Sequence, residues 1–417
     1  MYALVDANAF YCSSEQVFRP EWRGKPMVVL SNNDGCIIAA NKQAISLGIK
    51  KFQPYFKYRT LCNTKGIIVC SSNYELYGDL SGKMMQIIGR FAPIQHIYSI
   101  DECFLLFADF LTIPNLIQDA QEMRKAVWKE ARLPVCVGLG ATMTLAKLAN
   151  HIAKKSPDSN GVSLLTPADM TNHIFKNISP SEVWGIGRKT NRKLCDMGVN
   201  SVTKLLQLKR HIIEQNFNIE LLRTIQELNG EKCKGWDETR ADKRQIFSTR
   251  SVGQRIVNIA CLQQALVKHI TIAAEKLRIQ GSLCGTLMAF VANSPFDTAP
   301  RYFKIIKHFT PPTQSTPTLI KAITNDIQRL YIPGIQYYKI GVGLVNLSST
   351  HHQQYDLFND AQNDNQLMNL VDNVNQKYGR DSVLFASQGV NEKWSMRRQF
   401  LTPQYTTNWK DIPKIHC

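Results

Sequence analysis

The sequence predicts a multidomain α+β protein, and three observations carry that expectation. At 417 residues the chain is too long for one ordinary hydrophobic core. Its first part alternates short apolar runs with helical patterns, whereas the stretch from Ser179 onward reads as helical. The stretch from Arg240 to Leu347 mixes β-rich and helical runs and carries fourteen Lys or Arg against four Asp or Glu.

Each element has its own signal. Tyr2–Val5 is an apolar strand, followed by a helix that begins near Ala9 and Phe10. Met27–Leu30 and Cys36–Ala39 are strands joined by Asn32-Asn33-Asp34-Gly35, whose Asp-Gly signals a hairpin. A helix over Asn41–Leu47 closes at Gly48. Ile94–Ile100 and Cys103–Phe107 form a second strand pair with Asp101 and Glu102 between them. Val135–Gly140 is a strand leading into a helix over Thr144–Lys155, which ends in the turn residues Asp158–Gly161. Lys232–Arg244 reads as a charged linker. Beyond it, β-rich runs at Cys284–Ala292 and Tyr338–Leu344 alternate with helical patterns at Leu262–Arg278 and Pro317–Leu330, as in a small α/β layer domain. After Ser348 the chain turns polar, then regains apolar periodicity near Leu367–Tyr378.

Charge narrows the function classes. The net charge is +17, of which the 240–347 segment supplies +10, so a polyanionic partner is expected there. No run of about 18 apolar residues occurs and no basic amphipathic helix with a strong apolar face stands out, which argues against a membrane partner. The start lacks the basic and apolar regions of a signal peptide, so a cytoplasmic, nucleoid-associated protein is expected. The eleven cysteines are scattered, with no Cys-x-x-Cys, which argues against a disulfide framework or a structural zinc site.

Three carboxylates, Asp6, Asp101 and Glu102, stand at strand ends. Magnesium prefers a few carboxylates together with phosphate oxygens, and two such ions can activate a 3′-oxygen and neutralise departing phosphates. An Asp-Glu pair in a hairpin turn is also ordinary surface chemistry, and Asp6 can simply cap the next helix. Tyr11 follows Phe10 about one turn beyond Asp6; it is either core filler or a ring placed to block a ribose 2′-hydroxyl. Lys154 and Lys155 suit a helix C-terminus and equally suit a triphosphate. Trp184-Gly185-Ile186-Gly187-Arg188-Lys189, with Met197-Gly198-Val199 further on, fits a helix-hairpin-helix that grips a DNA backbone.

Several longer stretches resemble one family in order along nearly the whole chain. They are Asp6–Tyr11, Leu30–Cys36, Ser71–Tyr77, Tyr98–Glu102, Thr144–His151, Val183–Gly187 and Arg397–Thr407. Together they are similar to UmuC-type catalytic subunits of bacterial DNA polymerase V, members of the Y family of translesion DNA polymerases. The resemblance implies a right-hand fold: palm at 1–20 and 76–165, fingers at 21–75, and a thumb with the helix-hairpin-helix at 166–232. A little finger at 243–347 and a tail at 348–417 follow. It implies error-prone, template-directed DNA synthesis in the SOS response, without proofreading, on primer-template DNA and dNTP.

Carried over by position, Asp6, Asp101, Glu102 and the Ala7 carbonyl would hold two Mg2+ ions. Tyr11 would be the steric gate, with Phe10 beside the sugar. Lys154 would meet the triphosphate, and Lys42 would replace a basic residue absent at Ile45. Gly185, Gly187, Arg188, Lys189, Arg250 and Arg255 are the expected DNA contacts. In Gln354-Tyr355-Asp356-Leu357-Phe358, the residues Gln354, Leu357 and Phe358 would dock on the sliding clamp. A UmuD′ dimer and RecA are the other implied partners. A non-catalytic DNA-bound scaffold is the alternative, and a metal-dependent nuclease a further one.

Overall fold

The computed structural model describes residues 1–107, 113–166, 173–235, 242–351, 364–379, 381–390 and 394–412. The expected clamp peptide, 354–358, lies outside the described residues, as does 236–241 of the charged linker. The chain divides into two compact units. One comprises Met1–Ser31, Gly35–Arg240 and Phe400–Cys417; the other comprises Asn32–Asp34 and Ala241–Gln399.

The first unit contains β1 (Tyr2–Ala7), β2 (Met27–Leu30), β3 (Ile37–Ala40), β4 (Ile68–Ser71), β5 (Ile94–Ile97), β6 (Glu102–Leu106), β7 (Val135–Gly140) and β8 (Val162–Leu165). Five of these form a sheet in the order β5-β6-β1-β7-β8, and β3-β2-β4 form a smaller one. β1 is central because both its faces are apolar. Ala3, Val5 and Ala7 join Leu80, Met84 and Leu105 in one core, while Leu4 meets Phe104, Met143 and Ala146 in another. Asp6 shares the Leu4 face by strand alternation and is paired in register with Glu102 of β6. That face is covered by the helix Met143–Lys155. The helix lies close because Gly138 and Gly140 have no Cβ; one at Gly138 would collide with the Ala146 carbonyl. Asn150 in mid-helix donates to the Leu4 and Cys136 carbonyls, at 3.2 and 2.7 Å.

Local chemistry explains several boundaries. Asn41 Oδ1 accepts from Ala44 N at 3.0 Å, which caps the start of the helix Lys42–Ser46, within the expected span. The β2–β3 connection differs from the expected Asp-Gly turn. Its positive φ angles fall on Asn33 (60°) and Asp34 (52°), while Gly35 does not need one. The expected strand Ile94–Ile100 ends at Ile97, and Glu102 lies inside β6 instead of in the turn.

The second unit is a four-stranded antiparallel sheet, order β11-β10-β12-β9, from β9 (Ile246–Ile256), β10 (Ser282–Ala292), β11 (Tyr302–Thr313) and β12 (Tyr337–Ser349). The helix Ile259–Ile279 packs on one face through Leu262, Leu266, Ile270 and Leu277, against Leu287, Ile340 and Val342. The expected helix Pro317–Leu330 breaks into Thr316–Thr324 and Ile327–Leu330, because Asn325 and Asp326 interrupt its apolar spacing. The helix Asn365–Tyr378 is tied to Ile259–Ile279 by a bidentate pair between Arg278 and Asp372, at 2.6 and 2.8 Å. Among the described residues, no helix is long and apolar enough to cross a membrane.

Candidate active site

β1 ends where its antiparallel neighbour β6 begins, and their register brings the acidic residues together. Asp6 opposes Glu102, and Ala7 N donates to the Asp101 carbonyl at 2.9 Å. The Asp101 carboxylate accepts from Ser99 Oγ. After β1 the chain turns sharply: Ala9 takes a left-handed φ of 46°. The helix Phe10–Val17 therefore starts directly over the strand end. A cleft of about 330 Å³ opens there, lined by Asp6, Phe10, Tyr11, Lys51, Asp101 and Lys154 among others.

Two lysines compensate the carboxylates. Lys147 and Lys154 are seven residues apart on one helix, two turns along the face that covers β1. Lys154 Nζ pairs with Asp6 at 2.5 Å and Lys147 Nζ with Glu102 at 2.8 Å. Lys147 also sits 4.6 Å from the Tyr98 ring centroid and 5.3 Å from that of Trp184. Even so, burial pushes the Asp6 carboxyl up to about 6, with Asp101 and Glu102 adding to the rise against Lys154.

This crowding bears on whether the residues fit a divalent cation. Asp6 and Asp101 line one cleft, hard oxygen donors whose mutual repulsion a cation would relieve. Glu102 is drawn to Lys147, and among the described residues no group of three or more Asp, Glu, His or Cys closes into a cage. The donor set fits magnesium, which takes one or two carboxylates and completes its shell from water and phosphate.

The Tyr11 ring is fixed by aromatic neighbours. It stacks on Tyr77 with centroids 4.7 Å apart and planes 17° from parallel, and meets Tyr74 edge-on at 5.9 Å. Phe10, 3% exposed, lies beneath at 5.8 Å.

The other nominated residues are spread over both units. Lys42 is exposed on its short helix, and Lys51 lines the cleft instead. Lys51 sits beyond the stretches that resemble known motifs, so no spacing singled it out. Lys147 lay inside the Thr144–His151 stretch; its i, i+7 relation to Lys154 was the available signal. Gly185, Gly187, Arg188 and Lys189 are all exposed. Gly185 has φ 90°, and Gly187 begins the helix Arg188–Asp196 with no side-chain cap, leaving its first N–H groups free of one. Among the described residues, a 3-10 turn at Pro180–Glu182 and the short helix His173–Lys176 come directly before it.

In the second unit, Arg250 is exposed on β9 but has the alternation of the helix-covered face, near His269. Arg255 makes a bidentate pair with Asp297 at 2.7 and 3.0 Å. The open face instead carries Lys304 and Lys339, with Phe247, Tyr302 and Ile306 exposed around them. Gly341 and Gly343 leave room on that face for the rings of Phe290 and Phe247.

With this geometry in view, comparison with known proteins is informative. Residues 5–151 match the impB/mucB/samB family and residues 243–357 match that family's C-terminal domain. Residues 365–415 match a domain of unknown function, DUF4113. The chain is 38% identical to Protein UmuC of Salmonella typhimurium, covering 100% of both. It is 35% identical to Protein MucB of Escherichia coli over 99% of each. DNA polymerase IV of Pelotomaculum thermopropionicum is 24% identical over 92% of this chain and 94% of its own. The fold is similar to a Y-family DNA polymerase chimera of Dbh and Dpo4, with TM-score 0.65 and 18% identity, covering 84% of this chain and 99% of that one.

Proposed function

Because the chain belongs to the impB/mucB/samB family of UmuC-like proteins, we infer that it is an error-prone, template-directed DNA polymerase that performs translesion synthesis. One observation carries the reading: a single cleft holds two strand-end carboxylates, an aromatic-braced tyrosine and two lysines. In this reading the palm comprises 1–20 and 76–165, the fingers 21–75, the thumb 166–232, the little finger 243–347 and the tail 348–417.

Asp6, Asp101, Glu102 and the Ala7 carbonyl would hold two Mg2+ ions. Bound there, the cations would lower the pKa of the primer 3′-hydroxyl and neutralise charge on the departing phosphates. Lys154 would leave Asp6 for the triphosphate when a nucleotide enters, and Lys51 rather than Lys42 would add the second positive charge. Lys147 would keep Glu102 oriented at the primer terminus. Tyr11 would close the space a 2′-hydroxyl needs, held in place by Tyr77 and Tyr74. Primer-template DNA would be gripped without sequence readout, through the N–H groups after Gly187 with Arg188 and Lys189, and through Lys304 and Lys339 on the open sheet face.

A sliding clamp at Gln354, Leu357 and Phe358, a UmuD′ dimer, RecA and a cytoplasmic, nucleoid-associated setting in the SOS response complete the proposal; kinship to UmuC supports them. A scaffold would have no need of the three carboxylates, and a nuclease none of Tyr11. Labelled primer-template with magnesium and dNTPs separates the three readings. Longer product supports the polymerase; unchanged or shortened product overturns it.

A further inference from the structure

The matched domain of unknown function includes Phe400–Tyr405, and this stretch packs within the first unit. Phe400 is bound to the end of β4: Ser71 N donates to Phe400 O at 2.9 Å, and Phe400 N donates to Ser71 Oγ at 3.0 Å. Next, Asn73 Nδ2 donates to Thr402 O, Thr402 Oγ1 and Pro403 O, at 3.2, 3.1 and 3.3 Å. Behind it, the carboxylate of Glu15 accepts from the Tyr77 hydroxyl at 2.6 Å. Tyr405 secures the far end, stacking on Phe18 at 4.7 Å and accepting from Arg19 Nε at 3.0 Å.

Apolar packing alone would hold a tail against a surface. Here the contact is also polar and buried: Asn73 is 0% exposed and Thr402 8%. Such groups are costly unless satisfied, and once satisfied they specify one arrangement of the elements they join. The elements joined are the two helices that meet at the gate. Glu15 lies on Phe10–Val17, which carries Tyr11. Asn73 caps Tyr74–Ile88, its Oδ1 accepting from Leu76 N at 3.4 Å, and that helix carries Tyr74 and Tyr77.

We propose that Phe400–Tyr405 is a positioning element of the sugar gate: Thr402, through Asn73 at the start of Tyr74–Ile88, sets the Tyr77 ring on which Tyr11 stacks. Selection of deoxyribose over ribose then depends on a segment over three hundred residues away in sequence. This rests on the reading of Tyr11 as the gate.

The test is single-nucleotide incorporation of dCTP and CTP by the full chain, comparing wild type, Thr402→Val, Thr402→Ser and Tyr11→Ala. Thr402→Val should lower discrimination against CTP about fivefold, the ratio one net buried hydrogen bond supports, through a lower KM for CTP. Thr402→Ser should restore discrimination, and Thr402→Val should add nothing in the Tyr11→Ala background. If Thr402→Val proves poorly folded by its melting profile, Thr402→Ala, which removes the same hydroxyl acceptor without adding bulk, takes its place. Unchanged discrimination in Thr402→Val alongside lowered discrimination in Tyr11→Ala would overturn the tail's role alone. Unchanged sugar choice in Tyr11→Ala would overturn the gate, and the tail's role with it.

Discussion

The five-stranded sheet of the first unit is covered on both faces and ends β1 and β6 in carboxylates. In the four-stranded sheet of the second unit a helix covers one face, and among the described residues the other carries exposed lysines and aromatics but no carboxylate among those named above. Both use apolar alternation to bury one face against a helix. They differ in what the remaining polar positions do. In the first, burial concentrates negative charge until two lysines are needed to hold it; in the second, exposure keeps positive charge solvated and free to meet phosphates. Coulomb energy rises as the local dielectric falls, so the buried acidic edge suits chemistry and the open basic face suits reversible grip.

The comparison is easily broken. The largest effect expected is at the acidic edge. Asp101→Ala or Glu102→Ala should lower primer extension on the order of 10³-fold, as loss of an electrostatic group at a reacting centre does, with DNA affinity kept. Extension near wild type from either variant would remove the chemical role of that edge.

Acid should pull the two units in opposite directions. Burial, with Arg250, Lys268 and Lys276 nearby, lowers the His269 pKa from 6.5 to about 4, and Ser248 Oγ holds its Nδ1 at 2.8 Å. The unfolded chain takes up this proton first, so the second unit should lose roughly 3 kcal/mol between pH 6.5 and 4. Asp6, with its pKa raised, works the other way: the folded first unit binds the proton more tightly, and acidification through about 6 relieves its repulsion. Hydrogen exchange at the two pH values should show weakened protection under β9–β12 and none of that loss around β1. His269→Leu should remove the acid dependence; its persistence would refute this source.

Tyr11→Ala should reduce discrimination against ribonucleotides roughly tenfold to a hundredfold while DNA synthesis persists, read from paired dCTP and CTP kinetics. On the basic face, Lys304→Ala with Lys339→Ala should weaken primer-template binding several-fold and reduce the salt slope by about two. An unchanged slope would mean that the open face does not meet phosphate.

How far each sheet could be read in advance follows from where its strands lie. β10 and β12 are central and apolar, and their runs stand out in the sequence. β9 and β11 are the edges; Ile246–Ile256 mixes Arg, Gln and Ser into its alternation, and β11 carries Lys304, Lys307, His308 and the pair Pro311-Pro312. Edge strands need only one bonded neighbour and one buried face, so polar residues and proline are tolerated there and the pattern fades. At the site, Asp6, Tyr11, Asp101 and Glu102 were legible because each sits within a recognisable stretch, and Lys154 because it ends the helix pattern that one such stretch, Thr144–His151, begins. Lys51, the pairing of Lys147 with Glu102 and the contact of Thr402 with Asn73 were not, since no local spacing encodes them.

By itself, then, the amino-acid order determined the kinship, the central strands, the concentration of positive charge in 240–347 and the residue types of the candidate site. These are local or compositional properties: periodicity, charge count and short motifs survive without a fold. Tertiary structure decided which lysine faces the cleft, which face of the second sheet carries the exposed lysines, and where Phe400–Tyr405 comes to rest. Those depend on strand register and close packing between distant segments, where a shift of one residue turns a side chain to the other face.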